Sequence, residues 1–555
     1  MIMLNINNPS VKKIMQVYNP SDIEGSADAI RSLFVDKEVF SIFDMFSNLD
    51  TMLILHDDGD EDITRYISFK DHERKNYLVL SASRSVEQMR FDAACMLRRV
   101  AKDLCSSELK KCPNITTTNK KFGREDKHFA CALLMPQKEL MRFITQKDKN
   151  GEYKYLNKKG EISFANINIV ADHFGVPFDQ CCSRIFNVFD TLKRNKKGNF
   201  MIEGCPSKAV YKDKKAKYTA SMRKKDLERL VPDHHKHTEI LTKHLIDSLH
   251  YRSFDRLSDV AKRRILVNLT TSDSVNEGVI KVKTTKEEAQ KRALAIVNNY
   301  IAAGVKVRDG CIVDKNKNMV PLSDEQLVVI GEYDLYEKAL EDGLLKSMAK
   351  FSGDLHKFDG MTYLEALESL TERDMSNFIR DLHQKMFSKL SEKYDETRGG
   401  FYRTSPVSLA GTNVSTASPR MIGQVVDNIS WRILETLKKS AKGEISNSDY
   451  VDEINSCIYE IIRAQPFADG NKRTSRLLSN ILYQEKGLPY VLLPIQEWNN
   501  YVDAWSNDDI SVYNEMMHRL ILESYNYFYG VQSVGKALKG KDDGTKLINA
   551  NRKWQ

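Results

Sequence analysis

The stretch RAQPFADGNKRTSRLLSN, residues 463–480, predicts a tight turn that leads directly into a helix. Gly470 and Asn471 tolerate unusual backbone angles, so that successive N–H groups of the turn can point into one anion-binding concavity. The helix that begins there adds free N–H groups and the positive end of its dipole, which also favour phosphate. Apolar residues recur at helical spacing both before the turn, in VDEINSCIYEIIRA, and after it. The sequence therefore predicts two packed helices with an anion site at their junction.

Three charged side chains accompany this turn. Asp469 supplies a carboxylate beside the glycine, and carboxylate oxygen is a ligand that magnesium prefers. Arg473 and Arg476 lie on one face of the helix, so that both guanidinium groups can reach phosphate oxygens. The pattern predicts a cradle for a metal and a polyphosphate. A simple D-G-N turn followed by solvated arginines is the alternative that these few residues leave open.

The whole string resembles the signature of the Fic/Doc family, H-P-F-x-D-G-N-G-R-x-x-R. The matching positions are Pro466, Phe467, Asp469, Gly470, Asn471, Arg473 and Arg476. The segment TSDSVNEGV, residues 271–279, is similar to the inhibitory segment that precedes many Fic domains, with Glu277 and Gly278 aligned. GGFYRTSPVSLAG, residues 399–411, resembles the family's flap, whose target-docking residues would here be Tyr402, Arg403 and Val407. The resemblance covers residues 261–530 and implies an all-α Fic domain with a small β-hairpin flap.

The resemblance implies a protein nucleotidyltransferase that carries out AMPylation. Such an enzyme transfers AMP from ATP, or a fragment of another nucleoside triphosphate, to a Ser, Thr or Tyr hydroxyl of a target protein. By position, Asp469 would hold Mg²⁺, and the nucleotide would be bound by Gly470, Asn471, Lys472, Arg473 and Arg476. Arg476 would meet the γ-phosphate or pair with Glu277, so that autoinhibition and donor binding compete. Asp273 stands where the family has Ser or Thr, which puts the anchoring of the inhibitory helix in question.

Two departures from the family pattern decide the expected activity. Gln465 occupies the place of the histidine that removes the proton from the attacking hydroxyl, and a carboxamide cannot take up a proton near neutral pH. Loss of a general base costs about 10²–10⁴-fold, so we expect poor turnover, either in a natural pseudo-enzyme or in a toxin-like enzyme silenced by substitution. Lys472 replaces a glycine and resembles Doc, whose relatives pass on the γ-phosphate. We expect this lysine to point to solvent.

Residues 1–205 predict an α/β domain, because KNYLVLS has strand character and VEQMRFDAACMLRRVAKDL has helical periodicity. The latter segment and EDKHFACALLMP resemble the ImmA/IrrE-type metallopeptidases. The positions of the zinc ligands and the catalytic glutamate read Cys95, Met96 and Arg99, and only Glu125 of the ligand set remains. The resemblance implies a degenerate domain without metal or proteolysis. We expect it to dock a regulatory partner.

The length of 555 residues predicts two to four domains. The proposed order is the ImmA/IrrE-like domain, a basic helical connector at 206–260, the Fic domain at 261–530 and a basic tail at 531–555. The net charge of +8 is mild, so residues 208–229 are expected to be a solvated face rather than a nucleic-acid site. Nine scattered cysteines, no membrane-length apolar run and no signal-peptide pattern predict a cytoplasmic, bacterial-type protein. A non-catalytic nucleotide sensor and a Doc-like phosphotransferase are the alternative functions.

Overall fold

A computed structural model describes most of the chain, in two compact units. The described residues are 8–34, 40–56, 64–69, 76–105, 115–117, 122–205, 208–231, 234–249, 254, 257, 259–280, 285–303, 307, 309–313, 318–395, 399–409, 412 and 414–525. The units are Met1–His250 and Tyr251–Gln555. The boundary between them falls inside the predicted connector at 206–260. The predicted tail at 531–555 lies outside the described residues.

The N-terminal unit combines helices with a mixed sheet. Its helices are α1 (Pro9–Val17), α2 (Ile23–Ser32), α3 (Ile42–Asn48), α4 (Val86–Leu104), α5 (Arg124–Leu134), α6 (Gln137–Ile144), α7 (Phe164–His173), α8 (Phe178–Arg194), α9 (Lys208–Lys217), α10 (Ala220–Leu230) and α11 (His234–Ser248). Its strands are β1 (Thr51–His56), β2 (Arg65–Phe69), β3 (Asn76–Ser81), β4 (Ile115–Thr117), β5 (Glu161–Ile162) and β6 (Met201–Ile202). The main sheet has the order β1-β3-β2-β4, in which only β1 and β3 run parallel. The predicted strand and long helix are present as β3 and α4.

The helices of the predicted connector pack onto this N-terminal unit. α10 contacts α7, and α11 contacts α3 and α4. The ring of Tyr218 stacks on Phe164 with their centroids 5.8 Å apart, and Nδ2 of Asn168 donates to the carbonyl of Arg223 at 2.9 Å. Most lysines of α9 are exposed. The basic segment is therefore the solvated face of helices whose other face is packed.

The C-terminal unit is a helical assembly built around the helix that follows the DGN turn. Its helices are α12 (Asp259–Asn276), α13 (Lys286–Ala303), α14 (Asp324–Ser352), α15 (Tyr363–Glu368), α16 (Glu372–Met386), α17 (Ser388–Tyr394), α18 (Ile422–Ala441), α19 (Asn447–Ala464), α20 (Asn471–Glu485), α21 (Trp498–Ser506) and α22 (Ile510–Tyr525). α20 packs against α14, α16 and α19. The predicted apolar stripes of α19 and α20 are buried, including Ile454, Ile458, Leu478 and Ile481. Burial on every side makes α20 a rigid platform for the turn at its start.

The strands of the C-terminal unit are not where the sequence predicted a hairpin. β7 (Cys311–Val313) and β8 (Met319–Pro321) form an antiparallel pair that precedes α14. In the predicted flap, the described residues among 399–417 include no strand. A flap in the form of a β-hairpin is thus not confirmed. Within the part of the chain that the structure describes, each helix is too short or too polar for a bilayer crossing.

Candidate functional site

One buried side chain holds the turn between α19 and α20 in shape. Oδ1 of Asn471 accepts a hydrogen bond from the backbone N–H of Phe467 at 2.8 Å, and its Nδ2 donates to the Phe467 carbonyl at 2.8 Å. Gln465 and Gly470, at the two ends of the turn, both have positive φ angles, of 49° and 75°. The Asn471 side chain is thus hydrogen-bonded inside the turn. Only the backbone N–H of Asn471 can contribute to the predicted phosphate site.

The side chain of Gln465 is fixed at both ends. Its Nε2 donates to the carbonyl of Ile462 at 2.5 Å, and its Oε1 accepts from Nδ2 of Asn471 at 3.0 Å. Only 6% of the residue is exposed. The carboxamide therefore caps α19 and braces the turn. A carboxamide is not a proton acceptor near neutral pH.

Arg403 fastens this turn from the neighbouring segment. Its Nε donates to the carbonyl of Gln465 at 2.6 Å, and one terminal nitrogen donates to the carbonyl of Ser405 at 2.8 Å. The other terminal nitrogen donates to the carbonyls of Ala464, at 3.3 Å, and Ala417. The residue is buried. Its guanidinium group thus faces the turn, and a role in docking a target polypeptide stays a prediction.

The other two residues predicted to dock a target lie beside Arg403. The ring of Tyr402 lies 5.9 Å from that of Phe467, measured between centroids. Its buried hydroxyl has no hydrogen-bond partner among the described residues, and burial raises its pKa to about 12. Val407 is half-buried, and its carbonyl accepts from the hydroxyl of Thr416 at 2.8 Å. Tyr402 and Val407 are thus both half-buried, whereas Arg403 is buried.

A histidine that sequence reasoning missed supports the turn from α16. Nδ1 of His383 accepts from the backbone N–H of Gly400 at 2.8 Å, so the ring proton lies on Nε2, which donates to the carbonyl of Asp469 at 2.8 Å. The ring stacks on Phe467 with the centroids 3.8 Å apart. Burial lowers the pKa of His383 to about 4, which keeps the ring neutral. Both nitrogens are occupied, so His383 positions the turn.

The outer side of the turn carries the exposed carboxylate of Asp469 and the buried guanidinium group of Arg473. The Asp469 side chain is 83% exposed, and its nearest cation is a terminal nitrogen of Arg473, 3.9 Å from Oδ2. Arg473 is only 4% exposed, yet its Nε and NH1 groups have no hydrogen-bond partner among the described residues. A Cβ at Gly470 would lie 3.2 Å from the ring of Phe387, so the turn needs glycine for space as well as for its φ angle. Unpaired buried donors beside a helix start fit an anion.

Arg476 is held by the end of α12. Its Nε donates to Oδ1 of Asp273 at 2.7 Å, and its NH1 donates to Oε1 of Glu277 at 2.8 Å. The hydroxyl of Tyr336, on α14, donates to Oδ2 of Asp273 at 2.6 Å. Gly278 follows with a φ of 66° and ends the segment. Asp273, which replaces the Ser or Thr of the family pattern, therefore anchors the end of α12 itself.

The prediction that Lys472 points to solvent is wrong. Its Nζ lies 3.4 Å from Oε2 of Glu277 and 5.1 Å from the centroid of the Trp498 ring. The side chain is 23% exposed. Ion pairing with Glu277 and a cation–π contact explain why it folds back onto the site.

The region that contains the turn matches a known family. Residues 374–483 match the model described as Fic/DOC family. This region is a Fic/DOC family domain. Among curated relatives, protein adenylyltransferase Fic of Drosophila mojavensis is 46% identical over 124 residues, which are 22% of this chain and 22% of that protein. Protein adenylyltransferase fic-1 of Caenorhabditis briggsae is 26% identical over 123 residues, again 22% of each chain.

Two solved structures of Fic proteins are also similar to the chain. Fic-1 from C. elegans is 16% identical with a TM-score of 0.33, and the match covers 71% of this chain and 88% of that one. A Fic domain containing signaling protein from Bacteroides thetaiotaomicron is 16% identical with a TM-score of 0.32, and the match covers 52% of this chain and 95% of that one. The chain spans about a fifth of the length of the two curated relatives named above.

A buried glutamate lies behind the two arginines of the Fic domain. Glu332, on α14, is fully buried, and its Oε2 accepts from the hydroxyl of Ser274 at 3.4 Å. Burial, with a smaller contribution from the charge of Asp273, raises the pKa of Glu332 to about 8, while Arg473 and Arg476 oppose the shift. Sequence reasoning missed this residue. The signal available was an acid directly after the apolar run LVVIG.

We expect Glu332→Gln to remove a pH dependence of stability. Between the ordinary pKa of 4.5 and the folded value of about 8, the folded state holds a proton that the unfolded state has released. The wild-type free energy of unfolding therefore falls with rising pH, by at most about 1.4 kcal/mol per unit from this group. Denaturant unfolding followed by tryptophan fluorescence reports on this unit, because Trp431, Trp498 and Trp505 lie in its described part and no tryptophan precedes residue 251. If the free energy of unfolding changes with pH in the same way in wild type and in Glu332→Gln, the raised pKa of Glu332 is contradicted.

In the N-terminal unit, charged pairs involve Arg99 and Glu125, two of the residues that the peptidase resemblance singles out; that resemblance stays a prediction. Arg98 donates to Asp126 at 2.8 Å and to Glu125, and Nε of Arg99 donates to Asp126 at 3.0 Å. Cys95 is buried, and burial raises the pKa of its thiol. Arginine thus neutralises the remaining Glu125.

Proposed function

We propose that the C-terminal unit is a Fic-type protein nucleotidyltransferase in an inhibited and catalytically weakened form. In its reaction, a Ser, Thr or Tyr hydroxyl oxygen of a target protein would bond to the α-phosphorus of ATP, pyrophosphate would leave, and the hydroxyl proton would pass to a base or to water. The observation that carries the proposal is the buried, unpaired Nε and NH1 of Arg473 beside the start of α20. The names of the curated relatives, which are protein adenylyltransferases, support the same chemistry.

The residues of the turn fit a magnesium-bound triphosphate. Asp469 has an exposed carboxylate with no tight ion pair among the described residues, which suits a hard cation. Arg473 and the first N–H groups of α20 would bind phosphate oxygens, because neither set has an acceptor of its own. Bound Mg²⁺ would neutralise and orient the phosphates. Neutral His383, behind the turn, keeps Asp469 and Gly470 in place.

The weakness of the proposed enzyme lies at Gln465. Its Oε1 already accepts from Asn471, and a carboxamide cannot hold the proton of an attacking hydroxyl. The expected loss relative to a histidine is about 10²–10⁴-fold.

Inhibition would act through Glu277. Its carboxylate lies on Arg476 at 2.8 Å and near Lys472 at 3.4 Å, so two cations that a γ-phosphate could use are engaged by the protein's own acid. A donor must displace this carboxylate, which lowers its affinity.

Arg473→Gln tests the nucleotide site directly. In a Glu277→Gly background, we expect the Kd for Mg·ATP, measured by calorimetry, to rise about 10–100-fold, because charge-assisted hydrogen bonds to phosphate are lost. Arg463→Gln is the matched control, since Arg463 pairs with Asp508 at 2.6 Å outside the turn. Equal affinities for the two glutamine variants would contradict the proposal.

A second candidate function is a non-catalytic nucleotide sensor. The observation in its favour is that both ends of the Gln465 carboxamide are satisfied within the turn, as in a residue selected for structure. In this case the N-terminal unit, which resembles a degenerate ImmA/IrrE-type peptidase, would dock the regulatory partner. Nucleotide binding without transfer, even after Gln465→His, would favour this function.

A further inference from the structure

Arg476 makes two charged contacts with the inhibitory segment, where the family pattern supplies one. Oδ1 of Asp273 lies 2.7 Å from Nε, and Oε1 of Glu277 lies 2.8 Å from NH1. The Asp273 side chain is 5% exposed and that of Glu277 is 13% exposed. The shorter and more buried of the two contacts is therefore the one made by Asp273.

The contact of Asp273 does not depend on Glu277. The Asp273 carboxylate is fixed through its other oxygen by the hydroxyl of Tyr336 at 2.6 Å. Its backbone lies within α12, whereas Glu277 follows the last residue of that helix. Removing the Glu277 side chain thus leaves a rigid, buried acceptor on Nε of Arg476. Buried charge-assisted pairs are strong when both partners are fixed.

We propose that Asp273 is a second positioning residue for Arg476, which keeps the guanidinium group turned away from the donor's phosphates even when Glu277 is absent. This inference rests on the proposed nucleotide site. It identifies Asp273 as part of the inhibition, in addition to its role as an anchor of α12. Full release of Arg476 then requires loss of both carboxylates.

The test compares Mg·ATP binding by the full chain in wild type, Glu277→Gly, Asp273→Ser and the double variant. We expect the double variant to bind at least about tenfold more tightly than Glu277→Gly, since one charge-assisted contact no longer competes. The gain should be confined to ATP and absent for AMP, because a general loosening of the domain would change both. Equal ATP affinity in the double variant and Glu277→Gly would overturn the role of Asp273.

Tyr336→Phe is the matched control, because it removes the other hydrogen bond of Asp273 without touching Arg476. In a Glu277→Gly background it should raise the ATP affinity less than Asp273→Ser does, because the carboxylate stays on Arg476 and loses only one of its fixing contacts. If Asp273→Ser lowers the Tm below the assay temperature, Asp273→Asn replaces it and retains a neutral acceptor of the same shape. Failure of every folded variant to bind Mg·ATP would instead overturn the nucleotide site itself.

A measurement without nucleotide tests the role of Asp273 separately from the nucleotide site. Reaction of Arg476 with phenylglyoxal, quantified on its peptide by mass spectrometry, reports whether the guanidinium group is held. We expect Arg476 to remain protected in Glu277→Gly and to react several-fold faster in the double variant. Equal reactivity in the two would contradict positioning by Asp273, whatever the nucleotide affinity.

Discussion

Gln465→His is expected to raise AMP transfer onto protein hydroxyls by about 10²–10⁴-fold, the contribution of a positioned general base. The backbone already supports the change, because residue 465 ends α19 at a positive φ and is buried beside Asn471. An imidazole there can accept a proton that the carboxamide cannot. Gln465→His should be introduced into a protein that also carries Asp273→Ser and Glu277→Gly, so that donor binding does not limit the rate.

The assay for Gln465→His uses ATP labelled at either the α- or the γ-phosphate, with lysate proteins as acceptors. Transfer of the α label alone is the expected result, and Gln465→Asn in the same background is the control that keeps a carboxamide. Transfer of the γ label alone would assign a Doc-like phosphotransferase, in which Lys472 has the role of its Doc counterpart. No label from a variant that binds Mg·ATP would leave the nucleotide sensor as the function.

Arg403→Lys is expected to lower the free energy of unfolding of the C-terminal unit by about 2–4 kcal/mol. The guanidinium group of Arg403 donates to the carbonyls of Gln465, Ser405, Ala464 and Ala417, and a lysine ammonium cannot span this set. Buried carbonyls would then lose their donors.

Denaturant unfolding, followed by the tryptophans of the C-terminal unit, measures this cost. Arg420→Lys is the matched control, since Arg420 is exposed and lies in the same connecting segment. Were Arg403 a docking residue on the flap, both substitutions would leave stability unchanged and Arg403→Lys would weaken target modification alone.

The sequence predicts the elements whose signals are local. The apolar periodicity of α19, α20 and α4 identifies these helices, and the D-G-N turn identifies the start of α20, because these patterns depend on neighbouring residues only. The pairing of Glu277 with Arg476 follows from the family resemblance and is present at 2.8 Å.

The remaining parts of the site depend on packing between distant segments. His383 contacts the turn from α16, and Glu332 lies on α14 near Arg473 and Arg476; nothing near either residue in the chain marks a partner. The flap pattern predicts Arg403 as a docking residue, which stays a prediction, but motif order could not show that its guanidinium group donates to four backbone carbonyls. The prediction that Lys472 points to solvent was wrong because Trp498 and Glu277 are brought beside it only by the fold.

The pairing of Arg476 with two carboxylates, those of Asp273 and Glu277, has a genetic consequence. A point mutation that removes either Asp273 or Glu277 leaves one carboxylate in place. A mutation of Arg476 itself removes the restraint together with a residue that we propose binds the donor. Spontaneous alleles that release Arg476 would thus need two separate mutations within a short run of codons, and they should arise less often here than in a relative restrained by a single glutamate.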